Sequence, residues 1–158
     1  MLKPNIGISA ANLKKITASL SEVLADAEVV YIKTRKFHWN VSGESFMEHH
    51  KLFEGQYKQL EEAIDEIAER ISKLGSPTPG TMEEFKKLSQ LKESPGTIPS
   101  TNEMVKELLA DHETIIQSLR KKIDECDDDF KDAGTADFLT ALMEKEETIA
   151  WTLRRYFK

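Results

Sequence analysis

Phe37-His38-Trp39-Asn40-Val41-Ser42-Gly43 closes one long helical pattern, and Phe46-Met47-Glu48-His49-His50 opens the next. Upstream, Leu13, Ile16, Leu20, Val23, Leu24, Ala27, Val30 and Tyr31 recur at helical spacing, so a first helix is expected from about Ser9 to about Asn40. Gly43 breaks that pattern, and Ser45 with Glu48 forms a candidate capping box for a second helix running to Leu74, where Gly75 and Pro77 stop it. Two helices of roughly 30 residues joined by so short a turn pack antiparallel. His38, late in the first, then falls beside His50, early in the second.

The second helix also carries Glu54, Asp65 and Glu69. On a wheel of 100° per residue with His50 at 0°, Glu54 falls at about 40°, Asp65 at about 60° and Glu69 at about 100°. Four side chains able to ligate a metal therefore share about a quarter of one helix surface. Along the axis, however, His50 and Asp65 are about 22 Å apart, roughly ten times a metal–ligand bond. One helix cannot close such a site. A second copy, antiparallel about a two-fold axis near residues 58–60, sets His50 of one chain opposite Asp65 and Glu69 of the other, twice per dimer. The spacing points to a metal site shared between subunits. Taken without a partner, the same two histidines and three acids read as ordinary salt-bridged surface groups.

The rest of the chain reads as more helices and no strands. Thr81 and Glu84 make a capping box for a short helix from Met82 to about Ser89, and a loop with Pro95, Gly96 and Pro99 is long enough to cross the molecule. Ser100 and Glu103 cap a third long helix with Met104, Leu108, Ile115, Leu119 and Ile123 on one stripe. Asp127, Asp128 and Asp129 end it, and Thr135 starts a last helix with Phe138, Leu142, Ile149 and Leu153 inward. The sum is an all-α protein: four long helices and one small helix in the middle connection, forming a single domain over residues 1–158 with a short, loose N-terminal arm at 1–8.

FHWNVSG at 37–43, His50 twelve residues after His38, IDEIAER at 64–70 and TADFLT at 135–140 together resemble the Dps family, the DNA-protection-during-starvation proteins or mini-ferritins. The resemblance extends over nearly the whole chain. It implies a ferritin-like four-helix bundle, with the short helix in the middle connection as in Dps rather than in full ferritins. It also implies a two-iron centre shared between two subunits, ferroxidase activity with hydrogen peroxide preferred over dioxygen, and storage of ferric mineral in a hollow dodecamer. On this resemblance His38, with Asp65 and Glu69 of the partner subunit, holds the first iron, and His50 and Glu54 hold or orient the second. Glu54 stands where relatives often have Asp, one methylene shorter. Trp39 is implied as an interface residue that also takes electrons in peroxide chemistry. Asp128, Asp132 and Asp137 lie where the family lines three-fold pores for iron entry; a solvated helix end explains them equally well. His49 reads as a surface histidine.

The Glu-x-x-His pair of an intrabundle di-iron site is absent, since Met47 precedes His50 by three residues and Leu109 precedes His112. Imidazole and carboxylate suit Fe(II) but also zinc and other divalent ions. The net charge of −6 attracts cations and opposes phosphate backbones. DNA-binding members of the family use a lysine-rich arm, whereas here only Lys3 precedes Lys14 and Lys15, so weak or absent DNA binding is expected. The competing reading is a sequence-independent, nucleoid-compacting DNA binder with a minor metal role. No apolar run reaches the roughly 18 residues of a membrane span, and no signal-peptide pattern opens the chain, so a cytoplasmic place is expected. The lone Cys126 reads as a buried small hydrophobe.

Overall fold

The computed structural model describes residues 4–157. Five α-helices follow in order: α1 (Ala10–Asn40), α2 (Phe46–Lys73), α3 (Met82–Leu88), α4 (Thr101–Asp124) and α5 (Ala133–Arg154). A π-turn, Glu125–Asp129, extends α4, and there is no strand among the described residues.

Local chemistry accounts for most helix ends. The Ser9 hydroxyl accepts from the Asn12 amide at 3.1 Å and caps α1. Thr81–Glu84 and Ser100–Glu103 are complete capping boxes opening α3 and α4. At the end of α2, the Gly75 amide donates to the Ser72 carbonyl and the Ser76 amide to Ile71, a Schellman closure with Gly75 at φ 87°. Gly75 has a second reason to lack a side chain: a Cβ there would lie 2.6 Å from Cδ of Pro4. Pro4 therefore sits against the bundle and Ile8 packs on the core, while Asn5, Ile6 and Gly7 between them are exposed. Lys3 lies outside the described residues.

Two expected helix starts differ. Ser45 does not cap α2: it is left-handed (φ 58°) and its side chain makes no capping bond. Its carbonyl instead accepts from the Glu48 and His49 amides, and the Glu48 carboxylate takes the Tyr156 hydroxyl at 2.8 Å. The last helix begins at Ala133 rather than Thr135. Its cap is Asp132, whose carboxylate accepts from the Thr135 amide and hydroxyl and faces the Arg70 guanidinium at 3.4 Å. Asp127, Asp128 and Asp129 do not stop α4 but form the wide π-turn, which closes at Lys131 with φ 57°.

α1 and α2 form one antiparallel pair, α4 and α5 the other. The Thr101 hydroxyl donates to the Ser42 carbonyl, and the Asn12 side-chain Nδ2 donates to the Phe130 carbonyl. α4 therefore runs opposite to α1, and the α2–α4 connection crosses the length of the bundle. α3 rides on that connection with Phe85 turned inward. Asp26 of α1 holds it by accepting from the Ser89 hydroxyl, the Gln90 amide and the Gln90 side chain at 2.7–3.0 Å. The core between the pairs holds Leu20, Phe37, Phe53, Leu108, Leu119 and Leu139, all fully buried. The expected stripes are buried except for Leu13, Tyr31, Ile123 and Phe138, which are half-buried. Cys126 is buried as expected, and burial first, then the nearby Asp132, pushes its thiol up to about 11.

Asp132 joins α2 to α5, so truncation removes a cap and leaves the Arg70 guanidinium short of its carboxylate. Asp132→Ala is expected to lower unfolding free energy by about 2 kcal/mol in denaturant titrations, with Asp132→Asn, which keeps a capping acceptor, losing less than half as much.

Candidate metal centre

The turn at residues 41–45 folds the end of α1 onto the start of α2 and places His38 and His50 face to face. Their rings stack with centroids 3.8 Å apart and planes 18° from parallel. The backbone fastens both in a reciprocal way. His38 Nδ1 donates to the His50 carbonyl at 2.8 Å, and His50 Nδ1 donates to the His38 carbonyl at 2.9 Å. A carbonyl can only accept, so each Nδ1 carries a proton, and Nε2 is the nitrogen of each ring left to offer a lone pair to a metal ion. A hydrogen bond from the other ring nitrogen to a carbonyl is what orients a metal-binding imidazole. Tyr57 meets His38 edge-on at 5.3 Å, and Phe46 lies 5.0 Å from His50.

Glu54, one turn beyond His50, is ion-paired with Lys58 at 2.5 Å. The Lys58 hydrogen bond and charge hold its carboxyl below the usual carboxylate range, with His38 and His50 adding to the effect. Glu69 is likewise held low by Lys73 at 2.8 Å. These acids are ionised and solvent-accessible, as ligands for an arriving cation must be. Asp65 is exposed on the same helix. The rise of α2 sets Asp65 about 22 Å from His50. One chain thus brings together His38, His50 and the edge of Glu54, but not Asp65 or Glu69. Among the described residues, no three His, Cys, Asp or Glu side chains of one chain are grouped closely enough to hold a metal ion.

Several supporting residues escaped the sequence reading. Tyr57 is two turns after His50 on the same face of α2, a position the wheel does mark. Arg35 stacks over three rings, 5.0 Å from Trp39, 5.4 Å from Tyr31 and 5.7 Å from Tyr57, and donates to the Tyr31 hydroxyl. It clamps the outer end of α1, and Trp39 lies on it with 64% of its surface exposed. His49 is not at the surface. It is buried against Phe53 and Tyr156, with Nδ1 3.1 Å from the Ser45 carbonyl. Its helical offset of 100° from His50 turns it inward, where the last turn of the chain covers it. No periodic signal joins Tyr156 to α2, which is why that contact was invisible in the sequence.

Of the three acids considered for a pore, Asp128 and Asp137 are exposed. Asp132 is buried and spends its carboxylate on Thr135 and Arg70, which leaves it unsuited to drawing in a cation.

The bundle with its crossing connection defines a ferritin-like class, and comparison agrees. The ferritin-like domain profile matches residues 17–158. A low-temperature-induced protein of Nostoc is 44% identical over 158 residues, covering all of this chain and 88% of the relative. DNA protection during starvation protein 2 of Bacillus anthracis is 33% identical over 144 residues, covering 90% and 97%. The crystal structure of a Dps protein from Vibrio cholerae, described as a ferritin-like diiron-carboxylate protein, superposes with a TM-score of 0.92. It is 28% identical and covers 100% of this chain and 98% of its own. The chain belongs to the Dps family of ferritin-like proteins. Iron storage and protection against oxidative damage are the general role of that family.

The Tyr156 brace on α2 makes a pH-dependent prediction. Burial first, then the Glu48 carboxylate, pushes the phenol from 10.0 up to about 12. A raised folded-state pKa stabilises fully below the unfolded value and is lost as pH climbs through the folded one. Tyr156→Phe should therefore be the less stable protein at about pH 9, and the gap should close between about pH 10 and about pH 12, read from urea midpoints of both proteins.

Proposed function

We propose that this chain is a mini-ferritin that oxidises Fe(II) at centres shared between two-fold-related subunits and stores the ferric product inside a hollow dodecamer. One observation carries the reading: two imidazoles locked by each other's backbone present their Nε2 atoms at one end of α2, and the complementary acids lie at the other end of that helix. A second antiparallel copy supplies what each half lacks. In this arrangement His38, with Asp65 and Glu69 of the partner subunit, binds one Fe(II), and His50 and Glu54 bind or orient the other. Neutral imidazole suits Fe(II), and the carboxylates also tolerate the Fe(III) that forms. Trp39 and Phe46, exposed beside the histidines, are apolar surface that the partner covers.

Hydrogen peroxide is the preferred oxidant in this proposal. Each of two Fe(II) ions gives one electron, the O–O bond is cleaved, and two protons complete two water molecules, so no hydroxyl radical leaves. The protein would thus protect DNA without gripping it. At −6 per chain, a dodecamer carries a charge of about −72 (twelve times −6), which opposes a phosphate backbone. Pro4 and Ile8 are docked rather than free to form a DNA-binding arm. Asp128 and Asp137, exposed near the π-turn, are proposed to guide Fe(II) inward. Among the described residues no helix is long and apolar enough to cross a membrane, and the proposed location is the cytoplasm.

The direct test loads metal-free protein with Fe(II) under anaerobic conditions and adds hydrogen peroxide once, following ferric absorbance. Oxidation is expected to be rapid at about two Fe(II) per peroxide, and about 100-fold slower in His38→Ala and in Asp65→Ala, the effect of losing a positioned ligand. Slow oxidation indifferent to both substitutions would contradict the assignment, and tighter binding of zinc without iron oxidation would favour a site for another divalent ion.

A further inference from the structure

Each long helix interrupts its apolar stripe with a buried polar residue. Lys33 lies between Val30 and Phe37 on α1, and Gln56 between Phe53 and Leu60 on α2. His112 lies between Leu108 and Ile115 on α4, and Glu146 between Leu142 and Ile149 on α5. The contacts put all four in one layer. Lys33 Nζ bonds the Asp111 carboxylate at 2.6 Å, joining α1 to α4 beside His112. His112 Nδ1 bonds Glu146, joining α4 to α5. The ring pairs Tyr31–Tyr57 and Phe37–Phe53, 6.3 and 6.5 Å apart, bracket Lys33 on α1 and Gln56 on α2 at the same height.

Two pairs in this layer are satisfied and one remainder is not. Both polar atoms of the Gln56 amide and Nε2 of His112 are buried without a partner. His112 is fully buried and Gln56 is 4% exposed, so bulk water does not solvate them. Buried polar atoms in folded proteins are paired almost without exception, by protein or by an internal water. The carboxylates are already engaged, Asp111 by Lys33 and Glu146 by His112. The remaining free donor atoms, one imidazole nitrogen and one amide oxygen, are too few for a metal ion, which needs four or more ligands. They match one small molecule that both donates and accepts.

We propose that the centre of the bundle holds an internal water molecule bridging His112 Nε2 and the Gln56 side-chain amide. The amide offers an N–H and a carbonyl, so the bridge forms whether the imidazole presents a lone pair or a proton. The water completes a polar layer through all four helices by tying Gln56 of α2 to His112 of α4, the one link at this level that protein atoms leave unmade. A one-turn slip of either helix pair would leave Gln56 and His112 facing hydrocarbon, so the layer fixes helix register. Gln56 precedes Tyr57, which packs on His38, so the register it fixes is that of the histidine pair.

A high-resolution crystal structure of the full chain, metal-free and again after soaking with zinc, tests this. One water within about 3.2 Å of both His112 Nε2 and the Gln56 amide in both crystals, with no anomalous zinc signal there, is expected. Gln56→Leu should lose that water while the four helices superpose. Direct contact between Gln56 and His112, absence of solvent density between them, or a bound zinc ion would each overturn the proposal. The wild-type crystals decide the matter even if Gln56→Leu does not fold.

Discussion

The reciprocal hydrogen bonds between His38 and His50 are the constraint on which the rest of the site depends. Each ring uses Nδ1 to hold the other residue's carbonyl. The His38 carbonyl lies in the last turn of α1, where a helix end leaves carbonyls without an intrahelical partner, and the His50 ring occupies it. The same bonds decide which nitrogen of each ring is free. Structure and candidate chemistry are thus one feature: the device that closes the α1–α2 turn also aims two Nε2 lone pairs. Either histidine replaced by a residue without a ring donor would loosen the turn as well as remove a ligand.

The second constraint is length. α2 is one continuous helix, and about 22 Å of helical rise separates His50 from Asp65. No rearrangement within one chain shortens that span while the bundle core of Phe53, Leu60, Ile67 and Ile71 stays buried. The exposed surface of the α1–α2 pair, with Trp39 and Phe46 beside the histidines, is what one chain leaves uncovered. The α4–α5 pair does other work. It closes the core, pins α2 through Arg70 and Asp132, and braces the start of α2 through Tyr156.

Most of the fold was legible because apolar periodicity and capping chemistry act locally. The bounds of α1, α2 and α3 fell within a residue of expectation, and two capping boxes formed as written. The misreadings came from competition that is not local. Ser45 has the right spacing to Glu48, but the left-handed turn takes the hydroxyl out of position and Tyr156, more than a hundred residues away, takes the carboxylate. Asp132 looked like one more surface acid because its partner Arg70 lies on another helix. The proximity of His38 to His50 followed from the turn, and the separation of Asp65 from His50 from the helical rise. His49 shares the helical stripe of Phe53, Leu60 and Ile67, so its inward turn was legible in the spacing. The hydrogen bonds that orient the two rings and the clamp of Arg35 needed coordinates, since neither has a periodic signature.

The claim that two chains make each centre is tested most directly by mixing subunits that fail for opposite reasons. A His38→Ala subunit keeps its acids, and an Asp65→Ala subunit keeps its histidines. In a two-fold heterodimer of the two, one centre has lost both groups and the other has lost neither. Random assembly at equal amounts makes half of all dimers mixed, so about one quarter of wild-type peroxide-driven Fe(II) oxidation should return from two inactive parents. A mixture as inactive as its parents, with mixed dimers present by mass spectrometry, would contradict a shared centre.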